Sequence, residues 1–163
     1  MRKLHLWKPT ALLIAVLMVF ALAGCHINAP GTKEYVETVK EDMLQAVNLT
    51  RNLREQQKKL DVRSIDDANQ YMEILNQLDA IYTNLIQLES PADYSEVDDK
   101  IKENATSALA FVKQLKSLVT AAANTMNDSL YKQDYQHIME QYEECYSTLV
   151  DLSSEVTTKY RND

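Results

Sequence analysis

Residues 95–126 read SEVDDKIKENATSALAFVKQLKSLVTAAANTM and contain no glycine or proline. Apolar side chains recur along this stretch at spacings of three and four, at Ile101, Ala105, Ala108, Val112, Leu115, Val119, Ala122 and Met126. That spacing places them on one face of an α-helix, which completes a turn about every 3.6 residues. The stretch therefore predicts a long amphipathic helix, and its alanines permit a neighbouring helix to approach closely.

The rest of the chain beyond the first 32 residues shows the same periodicity three more times. We predict helices over residues 33–60, 64–89, 95–126 and 129–160. Ser64 followed by Asp67 is typical of a helix N-cap, and Pro91 disfavours helical geometry at the residue before it. No glycine follows Gly31, which disfavours the tight turns that sheet folds need.

Short connections between these helices predict their arrangement. Loops of a few residues join antiparallel neighbours, so we expect an all-α fold, an antiparallel up-down-up-down four-helix bundle over residues 33–163. An even number of helices returns the C-terminus to the end of the bundle at which the chain enters. Lys58, Lys59 and Lys132 would then lie near the opposite tip.

The first 24 residues differ from the rest of the chain in composition. Arg2, Lys3 and Lys8 supply positive charge, and residues 10–23 follow as an uncharged apolar run. A membrane-spanning helix needs roughly 20 apolar residues, whereas a cleaved export signal has a shorter run after a positive start. We therefore predict that residues 1–24 form a cleaved signal peptide.

The apolar run ends in Leu22-Ala23-Gly24-Cys25, two small residues directly before a cysteine. This sequence resembles the lipobox of bacterial lipoproteins, and the resemblance covers residues 1–25. It implies cleavage after Gly24 and attachment of a diacylglycerol to the sulfur of Cys25. Two acyl chains of about 14 methylenes each would then contribute on the order of 20 kcal/mol of membrane affinity. The alternative is an ordinary secretory signal followed by a chance cysteine.

Residues 25–32 form a short connection that contains a proline and a glycine. We predict that they are a lipidated tether with a reach on the order of 20 to 25 Å, because an extended residue spans about 3.3 Å. The domain would then lie close to the extracytoplasmic face of the cell membrane. By the same resemblance, His26 in place of an aspartate favours the outer membrane if the source has two membranes.

A lipobox, a short tether, helices and an elbow between Leu88 and Pro91 occur together in this chain. In this combination the chain is similar to uncharacterised small helical lipoproteins of Gram-positive bacteria. The resemblance implies a fold and a location and carries no function.

The acidic charge falls on the part of the chain after the predicted signal. Three of the 17 basic residues lie among the first eight positions, which leaves 14 against 24 acidic side chains and a formal charge of about −10. Nucleic acid and anionic lipid headgroups both require a cationic surface, so the composition disfavours them as partners. We expect membrane attachment to depend on the lipid at Cys25.

Patterns typical of catalysis or metal binding are scarce. Asp134, His137 and Glu140 follow one another at spacings of three, but di-metal helical bundles need Glu-x-x-His on two helices. His137 also lies off the apolar face, which favours a solvated group. Cys145 lies on that face, with Cys25 the only other cysteine, and is interpreted as a buried apolar residue. We predict no enzyme, no metal and no cofactor.

Tyrosines are concentrated on the last predicted helix, at Tyr131, Tyr135, Tyr142 and Tyr146. Each ring combines apolar surface with a hydroxyl group, so the four can line a groove for a ligand. More often such rings fill a core, and their hydroxyl groups reach water at its edge. Both interpretations stay open at this point.

The expected function follows from the anchor and the bundle. We expect a non-enzymatic, membrane-anchored protein with an interaction or structural role in the cell envelope, whose partner is a protein or a cell-wall component. The alternative is a binding or sensing module for a small ligand, glycan or peptide that uses the tyrosine-rich helical face.

Overall fold

The computed structural model describes residues 31–61, 64–125 and 128–162. Its regular elements are α1 (Thr32–Gln57), α2 (Ile65–Gln87), a short 3-10 helix (Ala92–Tyr94), α3 (Ser95–Thr125) and α4 (Asp128–Asn162). The described residues form a helical bundle without strands, so the all-α prediction is confirmed. The predicted signal peptide, Cys25, Met126 and the side chain of Tyr131 lie outside the described part.

Local signals explain where the helices begin and end. The hydroxyl of Ser64 accepts a hydrogen bond from the backbone N–H of Asp67 at 3.3 Å and caps α2. At the other end of α2, Leu88 adopts an extended conformation, three residues before Pro91. The backbone N–H of Tyr94 then donates to the Pro91 carbonyl and forms the turn that leads into α3.

The first helix ends at Gln57, whereas the periodicity extends to Leu60. The backbone N–H of Lys59 donates to the carbonyl of Gln56, and that of Leu60 donates to Gln57. These bonds span three residues and tighten the last turn, as is common at helix ends. The Leu60 side chain still packs against the core, which explains why it continues the apolar pattern beyond the helix.

We expect Ser64→Ala to lower the free energy of unfolding by about 1 kcal/mol, because an N–H at the start of α2 loses its capping acceptor. Urea unfolding monitored by circular dichroism measures the change. Ser107→Ala is the matched control, since Ser107 lies inside α3 and its hydroxyl donates only to the carbonyl of Glu103. Equal effects of the two substitutions would contradict the assigned role of Ser64.

The core lies between the four helices. Every described apolar residue of the α3 face, from Ile101 to Ala122, is buried. On the other helices the buried faces are broader than the periodicity indicates, because they include Tyr35 and Met139. Ile74 and Cys145 are only partly buried and pack at the edge of the core.

Side-chain pairs connect the helices outside the core. They are Asn84 with Asp42 at 2.6 Å between α2 and α1, Lys116 with Asp79 at 2.9 Å between α3 and α2, and Arg54 with Glu143 at 2.9 Å between α1 and α4. In the part of the chain that the structure describes, no helix has the length and apolar character to span a bilayer.

Candidate functional site

A chain of three hydroxyl groups crosses the core. Tyr142 on α4 is fully buried and shares hydrogen bonds with Tyr82 on α2 at 2.8 Å and with Thr50 on α1 at 2.7 Å. Burial raises the pKa of Tyr142 to about 12 and that of Tyr82 well above its usual range. These tyrosine hydroxyl groups therefore remain protonated. The three hydroxyl groups serve as hydrogen-bond partners for one another and connect three helices.

A second buried pair lies closer to the start of α2 and α4. The hydroxyl of Tyr71 donates to that of Tyr135 at 3.1 Å, and the two rings meet edge to face with centroids 6.5 Å apart. Burial raises the pKa of Tyr135 to about 12. This pair belongs to the core and presents little surface to a ligand.

Tyr146 differs from Tyr135 and Tyr142 on the same helix. Its ring stacks on Tyr142 with centroids 6.0 Å apart and an interplanar angle of 16°, and it is only partly buried. Partial burial raises the pKa of Tyr146, and the charges of Arg54 and Arg51 oppose that shift. Of the four tyrosines that the sequence suggested for a groove, Tyr135 and Tyr142 lie in the core and Tyr146 reaches its edge.

A buried carboxylate lies near the start of α1 and α3. The hydroxyl of Tyr35 donates to Oδ1 of Asp98 at 3.0 Å, and Nζ of Lys102 pairs with Oδ2 at 2.7 Å. Burial and the charge of Asp98 both raise the pKa of Tyr35. Sequence reasoning missed this cluster, although Asp98 and Lys102 stand four residues apart on one helix, a spacing that favours ion pairs.

The buried tyrosines predict a steep loss of stability in alkali. The pKa is raised above the usual value of 10.0 for Tyr35, Tyr82, Tyr135 and Tyr142. In the folded protein these hydroxyl groups therefore keep their protons at pH values at which the unfolded chain loses them. This stabilisation is complete below pH 10 and is lost as the pH rises, because the unfolded chain releases those protons first. Each tyrosine contributes a slope of up to about 1.4 kcal/mol per pH unit.

Phenolate absorbance and circular dichroism, followed together against pH, test this expectation. Tyr35, Tyr82, Tyr135 and Tyr142 should ionise only as the helical signal disappears. Ionisation of all nine tyrosines near pH 10 with an intact helical signal would contradict the buried network.

Two open clefts lie between α1 and α4. The first cleft, of about 370 Å³, is bounded on α1 by Lys40, Met43, Leu44 and Val47, and on α4 by Val150, Ser153, Ser154, Thr157, Thr158 and Arg161. A second cleft, of about 380 Å³, lies nearer the end of α1 and is bounded by Arg54, Gln57, Lys58, Tyr135, Gln136, Met139, Glu140 and Glu143. We call these two clefts together the α1–α4 groove.

The α1–α4 groove combines exposed apolar and cationic side chains. Leu44 is 59% exposed although it borders the first cleft. Among the described residues, no carboxylate lies within ion-pair distance of Lys40, Arg51 or Lys58. Arg54 pairs with a glutamate of α4, and both side chains are nearly half exposed. The α1 side of the groove is therefore basic on an otherwise acidic protein.

The residues of α4 that the sequence suggests for catalysis or metal binding lie on its exposed surface. Asp134, His137 and Glu140 are all exposed. Within residues 31–61, 64–125 and 128–162, no three histidine, cysteine or acidic side chains are arranged to hold a metal ion. Cys145 is a free, partly buried thiol, and burial followed by the charge of Glu144 raises its pKa.

Comparisons of the chain with protein-family models, with curated proteins and with solved structures gave no significant match.

Proposed function

We propose that the protein is a membrane-anchored extracytoplasmic lipoprotein that binds a protein or cell-wall component of the envelope and catalyses no reaction. The observation that carries the binding role is the α1–α4 groove. In its first cleft Leu44 lies together with Val47 and Val150 beside Lys40, and an apolar surface rimmed by polar and charged side chains in this way can bind another molecule. The anchor is the lipid that the lipobox resemblance implies for Cys25.

We further propose that the four helices form an antiparallel up-down-up-down bundle after a cleaved signal peptide. It is supported by side chains that lie together at one end of the bundle. Thr32, Tyr94 and Tyr160 border the same cleft, and Nζ of Lys159 donates to the backbone carbonyl of Asp93 and lies over the Tyr94 ring. The start of α1, the elbow before α3 and the end of α4 are thus neighbours. A tether from Cys25 would hold this end next to the membrane.

In that orientation the groove runs away from the membrane. Lys40 and Arg161 border its near part, and Lys58 borders its far part. The 18 residues from Lys40 to Lys58 rise about 27 Å along α1. A partner in the envelope would have access to the groove from the side of the bundle.

The alternative, a small-ligand module on the tyrosine-rich face, has less support. Tyr135 and Tyr142 are buried and hydrogen-bonded to other core residues, so neither ring is free to meet a ligand. Tyr146 is partly exposed but borders neither cleft of the α1–α4 groove, and Tyr135 borders the second cleft with little exposed surface.

Proximity labelling in the source cell tests the proposed function. A biotinylating enzyme is fused after Asp163 and compared with the same enzyme on an unrelated helical domain carrying residues 1–32 of this protein. The control has the same predicted export signal and anchor, so any neighbour enriched over it depends on the bundle. We expect at least one envelope component to be enriched. Identical labelling patterns would contradict a binding role for the bundle.

A further inference from the structure

We propose that the occupant of the α1–α4 groove is an acidic amphipathic helix of another envelope protein. This inference rests on the proposed function and names the class of partner. It is carried by the shape of the groove, the exposed Leu44 with its partly buried apolar neighbours in the first cleft, and the positions of the cations on α1.

The shape suits an α-helix. The groove lies between two helices that are packed side by side, and a third helix can pack into such a depression with its axis 8 to 10 Å from its neighbours. Lys40 borders one cleft and Lys58 the other, and the rise of about 27 Å between them along α1 equals the length of a helix of about 18 residues. Three apolar side chains border the first cleft, Leu44 and Val47 on α1 and Val150 on α4. They can contact apolar residues of the bound helix that are spaced three and four apart.

The charges favour an acidic partner. Lys40, Arg51 and Lys58 are spaced by eleven and seven residues, about three and two helical turns, so they form one stripe along α1. No carboxylate of the described chain lies within ion-pair distance of them. Glutamate and aspartate side chains on one edge of a bound helix would complement this stripe, and electrostatic complementarity of this kind selects the partner.

One ion pair joins α1 and α4 across the second cleft. Arg54 and Glu143 form it, and their side chains are 48% and 44% exposed. An exposed pair of this kind contributes little to stability, so a carboxylate of the partner can replace Glu143 at small cost. Arg54 then extends the basic stripe.

Other occupants fit the lining less well. An acyl chain would meet the hydroxyl groups of Ser153, Ser154, Thr157 and Thr158 along α4. An anionic wall polymer would leave Leu44 exposed, because such a polymer offers it no apolar surface. A second copy of this chain would have to present an acidic helix with an exposed apolar edge.

Photo-crosslinking in the source cell tests the inference on the full chain. A benzophenone amino acid is placed at Leu44 in the groove, and at Ala110, which is exposed on α3, as a matched control. Adducts are digested and their peptides identified by mass spectrometry. We expect the Leu44 adduct to map to a segment of another protein that has net negative charge and apolar residues at helical spacing.

A charge-reversed protein provides the second arm. Lys40→Glu with Arg51→Glu should lower the yield of the Leu44 adduct at least about tenfold, equivalent to about 1.4 kcal/mol. Lys100→Glu with Lys113→Glu on α3 adds the same charge away from the groove and should leave the yield unchanged.

The remaining outcomes separate the inference from the proposed function. An adduct at Leu44 with a glycan, a lipid, a second copy of this chain or a basic segment would overturn the acidic-helix partner, and so would a yield insensitive to charge reversal. An adduct only at Ala110 would overturn the inference and leave a binding role in place. The absence of adducts at both positions would contradict the inference and the binding role together.

Discussion

The protein is expected to leave the membrane fraction when Cys25, the proposed lipidation site, and the proposed lipoprotein signal before it are both replaced. The variant carries Cys25→Ser and an ordinary cleavable secretory signal in place of residues 1–24. Serine provides no thiol for a thioether, and the new signal allows cleavage without the lipid. Loss of two acyl chains removes on the order of 20 kcal/mol of membrane affinity, which changes the partition from complete binding to release.

Two features of the chain sharpen this expectation. The described helices include none that could span a bilayer, and the formal charge of about −10 after residue 24 opposes binding to anionic lipid. Cys145→Ser with the native signal is the matched control, since it removes the other thiol and should remain with the membrane. If the variant instead sediments with the membranes in high salt, another part of the chain binds the membrane, and the expectation is wrong.

Replacing Tyr142 with phenylalanine is expected to lower the free energy of unfolding by roughly 2 to 4 kcal/mol. The change removes one hydroxyl group and two buried hydrogen bonds, to Tyr82 and Thr50. Thr50 can turn its hydroxyl towards a carbonyl of its own helix, but Tyr82 is left with a buried polar group that lacks its partner. Urea unfolding followed by circular dichroism measures the loss.

Two further variants identify the cause of that loss. Tyr146→Phe removes a hydroxyl from a partly exposed tyrosine of the same helix and should change the free energy of unfolding by less than about 1 kcal/mol. Tyr82→Phe combined with Tyr142→Phe should be less destabilising than the sum of the single changes, because the unsatisfied group is removed. Additive effects would contradict a hydrogen-bonded network between these residues.

The helices of this protein could be predicted because their pattern is local. Along α3 the apolar residues keep one spacing from Ile101 to Ala122, and all the described members of that face are buried. Ser64 could be recognised as a cap from its neighbour Asp67 alone. Such features depend on residues within one or two turns of each other, and the sequence displays them directly.

The polar groups of the core could not be predicted in the same way. Asp98 lies in the first turn of α3, where an acidic side chain is favourable for local reasons. Its burial depends on Tyr35, which α1 places beside it from 63 positions away. The partners of Tyr142 likewise come from two other helices. Periodicity identifies the buried face but does not show which side chains meet across it.

The groove depends on the packing of α1 against α4, the first and last of the described helices. Sequence reasoning placed a candidate ligand surface on the tyrosines of α4, and the structure turns Tyr135 and Tyr142 inward. Leu44 and Arg51 on α1 were not singled out, because an isolated exposed leucine or arginine is common in helical sequences. Their neighbours across the groove are what distinguish them.

The lipid on Cys25 is the central claim, and the mass of the first tryptic peptide of the membrane-bound protein tests it most directly. Trypsin should release Cys25–Lys33, with the sequence CHINAPGTK, from a chain that begins at Cys25. We predict that this peptide carries the mass of a diacylglycerol on its sulfur. An unmodified Cys25, or a peptide in which residues before Cys25 are still attached, would contradict the lipoprotein assignment.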